Sequence, residues 1–293
     1  MASGQKKSVW FLGTSSFAVP SLEALLKDPS FRVDLVITQP DRPTGRRQEL
    51  TPSPVKVASE SHKIKIIQPE NLNDFIKSDP EPGPQPDFLI VVSFGQILSQ
   101  QILDMPTIAP INVHASLLPK LRGASPLQHA ILTGEKESGV TVQKMVKELD
   151  AGPILAQKKM TLDPRETAVT LHDKLADLGA KLLIKTLKHT LTPVDQDAAR
   201  ATVCHVLTRE DGIADVQAMT AESIDRRVRA FTPWPGVTLT INGQPLKLIE
   251  TALEPTDSST PLPCANGTVL HLVKVQTAGG KPITGVEWAR GNR

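Results

Sequence analysis

Five short runs rich in β-branched and aliphatic residues recur along the N-terminal part of the chain: Ser8–Gly13 (SVWFLG), Arg32–Thr38 (RVDLVIT), Lys63–Gln68 (KIKIIQ), Asp87–Phe94 (DFLIVVSF) and Ile111–Ser116 (INVHAS). Their apolar residues are near-continuous rather than alternating, the pattern of strands covered on both faces. The stretches between them hold helical segments, Phe17–Leu26 and Val55–Ser61, and Leu127–Leu132 follows the last run. Strands that alternate with helices predict an α/β fold: a Rossmann-like, mostly parallel sheet with helices on both faces.

Gly139–Val146 and Pro153–Met160 read as a hairpin-like pair around KELDAG, appended to that sheet. Leu171, Leu175, Leu178 and Leu182 then repeat at helical spacing. The helix fades around Thr190–Pro193, and the polar, alanine-rich Val194–Ala201 suits a linker. Further on, a helix over Ala221–Ala230 precedes the β-rich segments VTLTI, LKLIE and TVLHLVKV, broken by Gly, Pro, Asn and Ser. Closely spaced short strands predict a small β-barrel or sandwich, of which an OB-like barrel is the expectation taken forward. The expected organisation is a catalytic domain over 1–190, a linker over 191–208 and a C-terminal barrel over 209–293.

Charge excludes little. With 33 basic and 31 acidic residues the net charge is +2, so any contact with nucleic acid must rest on locally placed cations. Cys204 and Cys264 lack metal-site spacing and suit a reducing compartment. No apolar run approaches the roughly 20 residues of a membrane helix. Met1–Lys7 is polar and leads straight into a strand, so neither a signal nor a transit peptide is expected. The expected location is cytoplasmic, or the mitochondrial matrix if a presequence is missing.

Asn112 and His114 lie two apart in INVHAS and therefore share one face of a strand. They sit near its C-terminal end, where open α/β sheets place their ligand crevice. A lone strand histidine is commonly a core residue bonded to backbone. A second polar residue on the same face weakens that reading, because each needs a partner or costs roughly 1–3 kcal/mol. Asp150, in KELDAGPIL, is followed by Ala151–Gly152, which permits a sharp bend; spacing alone leaves it an ordinary turn aspartate unconnected to His114. Gly13-Thr14-Ser15-Ser16 lacks the G-x-G-x-x-G spacing of a dinucleotide site.

Phe88–Leu98 (FLIVVSFGQIL), Asn112–Gly123 (NVHASLLPKLRG), Gly134–Thr141 (GEKESGVT) and Asp150–Leu155 (DAGPIL) resemble the successive motifs of folate-dependent formyltransferases. FLGTSSFAVPSLEALL, TQPDRPTGRRQELTPSPVK and RRVRAFTPWPG narrow the resemblance to the methionyl-tRNA formyltransferase family. The resemblance implies transfer of a formyl group from 10-formyltetrahydrofolate to an amine, with Asn112, His114 and Asp150 catalytic and no metal. Asn112 and His114 would donate to the oxyanion, and Asp150 would orient His114 and position a proton-relaying water. Phe94, Gly95, Gln96, Ile97 and Leu98, with Ser116, Leu117, Leu118 and Pro119, would border the folate. Ser116 would not be a nucleophile, because the substrate amine is one.

For the acceptor, the resemblance implies initiator methionyl-tRNA met by the loop Asp41–Arg47, through Arg42, Arg46 and Arg47; without it these are residues of a solvated loop. Arg226, Arg227 and Arg229 read equally as a helix face or an RNA contact. From His205 onward acidic residues equal basic ones, whereas the family's C-terminal domain is typically basic. Formylation of an amino-sugar nucleotide, hydrolysis of the formyl-folate, and a non-catalytic folate- or RNA-binding module stay open. A monomer with no membrane contact is expected.

Overall fold

The computed structural model describes residues 6–45 and 47–291, which form two compact units. The first takes in the chain to Arg122 with 138–160 and 172–203. The second takes in 123–137, 161–171 and the chain from Cys204. The second unit is thus built from three separate stretches of the chain.

The first unit is built on a seven-stranded sheet. In chain order the elements of the two units begin β1 (Lys7–Gly13), α1 (Val19–Lys27), β2 (Phe31–Ile37), β3 (Arg42–Thr44), β4 (Glu49–Thr51) and α2 (Pro54–Ser61). They continue β5 (Ile66–Ile67), α3 (Leu72–Ser78), β6 (Phe88–Val92), α4 (Gln100–Leu103), β7 (Ala109–His114), β8 (Arg122–Gly123), α5 (Pro126–Leu132), β9 (Glu137–Lys144), β10 (Ile154–Thr161), α6 (Ala168–Leu187) and β11 (Val203–Cys204). The strand order is β10-β9-β7-β6-β1-β2-β5, with β2, β1, β6 and β7 parallel in turn and β9 antiparallel to β7. The chain runs outward from β1 to β2 and β5, then crosses back to β6 on the other side of β1. That reversal opens the crevice in which such sheets bind ligands.

Strand alternation divides the core. Trp10, Leu12, Leu35, Ile37, Leu89 and Val91 face α3 and α4, joining Leu72, Ile76, Ile102 and Leu103 in one buried cluster. Asn112 is in register with Val91, so Asn112 and His114 emerge on that same face. Val113 points the other way, where Gly179 of α6 approaches so closely that a Cβ there would lie 3.0 Å from Val113 Cγ1. That contact shifts the buried stripe of α6. Ala176, Gly179 and Leu183 are buried, while the expected Leu178 and Leu182 are half-buried. Local signals fix the helix starts: Ser53 accepts the Lys56 N–H at the head of α2, and Asn71 those of Asn73 and Asp74 at α3.

Asp41–Arg47, expected as a loop, contributes the three residues of β3, paired antiparallel with β4 through Arg42↔Thr51, Pro43↔Leu50 and Thr44↔Glu49. Gly45, at φ 67°, supplies a backbone conformation that the turn needs.

The second unit continues with α7 (Ala221–Phe231), β12 (Val237–Ile241), β13 (Gln244–Ala252), β14 (Thr260–Pro263), β15 (Val269–Thr277), β16 (Ile283–Thr284) and α8 (Gly285–Gly291). Its antiparallel sheet, ordered β12-β13-β15-β14 with β16 on β15, is consistent with a small barrel domain. Ile224, Val228 and Phe231 of α7 are buried, as are Leu239, Leu246, Leu248, Leu270 and Leu272 of the strands. Among the described residues, no helix is long and apolar enough to cross a membrane.

Candidate active site

At its C-terminal end β7 meets β9 with Asn112 opposite Gln143 and His114 opposite Thr141. Directly opposed residues share a sheet face, so four polar side chains converge where the rest of the face is apolar. Each finds partners. Thr141 Oγ1 donates to the Ser116 carbonyl at 2.7 Å and accepts the Leu118 N–H at 3.1 Å. Asn112 Nδ2 donates to Asp150 Oδ1 at 3.2 Å, and Gln143 Nε2 to the same oxygen at 2.8 Å.

Asp150 thus arrives from the β9–β10 turn, held by the residues it faces. Its backbone is left-handed, φ 51°, a region that aspartate tolerates better than most residues. Gly152 is required two residues later, since a Cβ there would overlap the Lys144 carbonyl.

His114 is 6% exposed and lies between two acceptors. Its Nε2 is 2.8 Å from the Leu121 carbonyl oxygen, and its Nδ1 is 3.6 Å from Asp150 Oδ1. A carbonyl can only accept, so Nε2 carries a proton. In the neutral ring, Nδ1 then presents a lone pair toward a carboxylate. A proton on Nδ1 would turn that opposition into an ion pair with Asp150. Nε2 is committed to Leu121, so the His114 donor expected at the oxyanion is not the Nε2–H.

A cleft of about 120 Å³ opens beside Asp150, lined by Gln96, Ile97, Leu98, Leu103, Gln143, Gly152 and the turn residues Met145–Leu149. The loop after β6 therefore meets the Asp150 turn. Its Gln96 is a brace rather than a free side chain: Oε1 accepts the Leu72 N–H, and Nε2 donates to the Pro69 and Glu70 carbonyls. Ile97 is 77% exposed at the rim, Gly95 bends the loop at φ 86°, and Phe94 is buried beneath, its carbonyl accepting from Thr14 Oγ1. Ser116, Leu117, Leu118 and Pro119 do not line this cleft. Ser116 is buried and donates to the Lys120 carbonyl at 2.6 Å, a loop-shaping bond.

Sequence reasoning missed Gln143 and two residues behind the turn. Gln196 Nε2 donates to the Asp150 carbonyl at 2.8 Å and the Gly152 carbonyl at 2.7 Å. Its Oε1 accepts from Arg122 Nε at 3.1 Å and a second guanidinium nitrogen at 2.7 Å. Only the two-residue alternation of β9 signalled Gln143, and nothing local signalled Gln196.

On the β3–β4 hairpin, Arg42 forms a bidentate pair with Glu70 at 2.6 and 3.3 Å, both side chains exposed. Arg47 is exposed, 4.0 Å from Glu49; Arg46 lies outside the described residues. Asp41 anchors the start of β3: hydrogen bonds from Gln68, and then from Lys56, hold its carboxyl below the usual range. In the second unit the arginine cluster is largely engaged internally. Arg229 and Arg165 grip the fully buried Asp225 carboxylate, Arg227 donates to the Asp211 carbonyl, and Arg226 pairs with Glu222. Among the described residues no group of three or more His, Cys, Asp or Glu is placed to hold a metal ion.

The family described as Formyl transferase matches residues 6–187, and its C-terminal domain matches 206–293. The methionyl-tRNA formyltransferase of Enterococcus faecalis is 39% identical over 298 residues, covering 96% of this chain and 95% of that protein. That of Stutzerimonas stutzeri is 40% identical over 294 residues, covering 95% and 93%. The N-formyltransferase of Helicobacter canadensis, solved with folinic acid and dTDP-3-aminofucose, shares the fold at TM-score 0.67 and 21% identity, over 92% of this chain and 99% of that one. The chain belongs to the formyl transferase family, and methionyl-tRNA formyltransferases are among its near-full-length relatives.

Proposed function

We propose that this chain transfers the formyl group of 10-formyltetrahydrofolate to the amino group of initiator methionyl-tRNA. The observation that carries the reading is the convergence of Asn112 and His114 on one carboxylate oxygen of Asp150, beside a cleft that the Gln96–Leu98 loop also lines. An apolar cleft with a few polar groups suits a flat heterocycle. Gln96, Ile97 and Leu98 on one side and Met145–Leu149 on the other are the residues that would hold it.

In this reading the amine nitrogen bonds to the formyl carbon, and the carbonyl electron pair moves onto oxygen. Asn112 has two N–H bonds on Nδ2; one serves Asp150 and the other stabilises the oxyanion. The nitrogen's surplus proton passes to His114 Nδ1, and the imidazolium pairs with Asp150. Collapse of the tetrahedral carbon breaks its bond to the folate nitrogen, which takes up the proton held on His114 Nδ1 as reduced folate departs, leaving the ring neutral again. No enzyme side chain is acylated.

Arg42 is the tRNA contact we favour. Its exposed pair with Glu70 is worth at most about 1 kcal/mol, so a phosphate can displace the carboxylate. The barrel unit adds further tRNA contacts, and the chain works as a cytoplasmic monomer. The test is formylation of methionyl-tRNA by native protein and by His114→Ala. Native transfer with a loss of about 1,000-fold or more in the variant supports the reading, and near-native turnover in His114→Ala refutes it.

A further inference from the structure

His114 is held between two residues in the same sparsely populated backbone region. Asp150, on the Nδ1 side, has φ 51°; Leu121, on the Nε2 side, has φ 58°. Leucine gains nothing from the left-handed conformation and adopts it only where its surroundings impose it. Both are held by one segment, Gln196–Thr202, which the sequence presents as a linker. Gln196 Nε2 bridges the Asp150 and Gly152 carbonyls, and the two nitrogens of Arg122 hold its Oε1 end. Thr202 Oγ1 accepts the Leu121 N–H at 2.8 Å, its carbonyl accepts the Arg122 N–H at 2.8 Å, and its own N–H reaches the Pro119 carbonyl at 3.3 Å. The peptide bonds on either side of Leu121 are therefore pinned where its carbonyl receives His114 Nε2.

We infer that Gln196 and Thr202 are positioning residues for formyl transfer: Gln196 sets the Asp150 carboxylate against His114 Nδ1, and Thr202 sets the Leu121 carbonyl that fixes the ring and its tautomer. The inference rests on the proposed roles of His114 and Asp150. It makes the segment between the two family domains part of the machinery rather than a tether. Neither residue touches substrate. Each acts through a neighbour, so removing it lowers the rate of the chemical step and leaves acceptor binding alone. A displacement of about 1 Å at a reacting group costs on the order of 100-fold.

The experiment measures single-turnover formyl transfer from 10-formyltetrahydrofolate to methionyl-tRNA by the full chain. The variants are Gln196→Ala, Gln196→Glu and Thr202→Val, with Gln196→Ala repeated in an Asp150→Asn background. A thermal melt of each variant accompanies the rates. Expected are rate losses of about 10- to 100-fold at saturating substrate, with the acceptor KM unchanged. Gln196→Glu should lose as much as Gln196→Ala, because a carboxylate keeps Arg122 but cannot donate to two carbonyls. In the Asp150→Asn background, removing Gln196 should cost less than about 2-fold more, since its route of action is already gone. Rates within about 2-fold of native for Gln196→Ala and Thr202→Val overturn the inference. So do full recovery in Gln196→Glu and losses that multiply in full with Asp150→Asn. If Gln196→Ala does not fold, the near-isosteric Thr202→Val decides alone by the same rate criterion. Native rates in the Gln196 and Thr202 variants beside an inactive His114→Ala sink only this inference; an active His114→Ala sinks the reading beneath it.

Discussion

Gly152→Ala puts one methyl group where the turn has no room for it. The new Cβ would overlap the Lys144 carbonyl oxygen, lie 3.0 Å from that carbonyl's carbon and 3.4 Å from the Val146 nitrogen. These are backbone atoms, and Lys144 is fixed in register opposite Ile111, so no rotamer change relieves the clash. Ordinary carbon contacts begin at about 3.5 Å, so the turn must retreat from Lys144 by more than about 1 Å. Asp150 is two residues away, and its Oδ1 is held by bonds of 2.8 and 3.2 Å that such a shift breaks. The expected loss is about 100-fold in the single-turnover rate, with about 1–3 kcal/mol of stability lost to overpacking. Rapid-quench formylation assays and urea unfolding of the same preparation separate the two effects. A stable variant transferring within about 2-fold of native would show that the Asp150 position does not govern the reaction, and the argument from geometry would fail.

Two further outcomes follow from the charged residues. Arg42→Ala should weaken tRNA binding and make the slope of log Kd against log salt shallower by about 1, with Glu70→Gln binding more tightly; an unchanged slope removes Arg42 from the interface. Asp225→Ala leaves Arg229 beside a vacated buried site, so unfolding should show the second unit destabilised by about 3 kcal/mol or more, and an unchanged midpoint contradicts the buried-pair account.

Much of the scaffold was legible because parallel strands buried on both faces leave continuous β-branched runs, and each of the five runs of the opening pattern overlaps a strand of the sheet. The pairing of Asn112 with His114 was equally visible, since a two-residue step fixes a shared face whatever the tertiary structure. Asp150 was not visible from spacing: it lies 38 residues from Asn112 in the chain and reaches it only by the return of β9. Gln196 was less visible still, because a glutamine in a polar stretch looks like solvent-facing chain until its two carbonyl partners are in place. The stripe of α6 was misjudged by the preference for leucine over glycine, when close approach to Val113 demanded the smaller residue. The β3–β4 pairing was hidden by Pro43 and Gly45, which read as loop residues although Pro43 is accommodated opposite Leu50.

The most direct measurement offers the purified protein 10-formyltetrahydrofolate with methionyl-tRNA, with an amino-sugar nucleotide, or with water alone, and follows the formyl group by mass spectrometry. The account predicts formyl-methionyl-tRNA in the first case, abolished by His114→Ala, and negligible turnover in the other two. Formylated sugar or free formate as the main product, with methionyl-tRNA untouched, would contradict it.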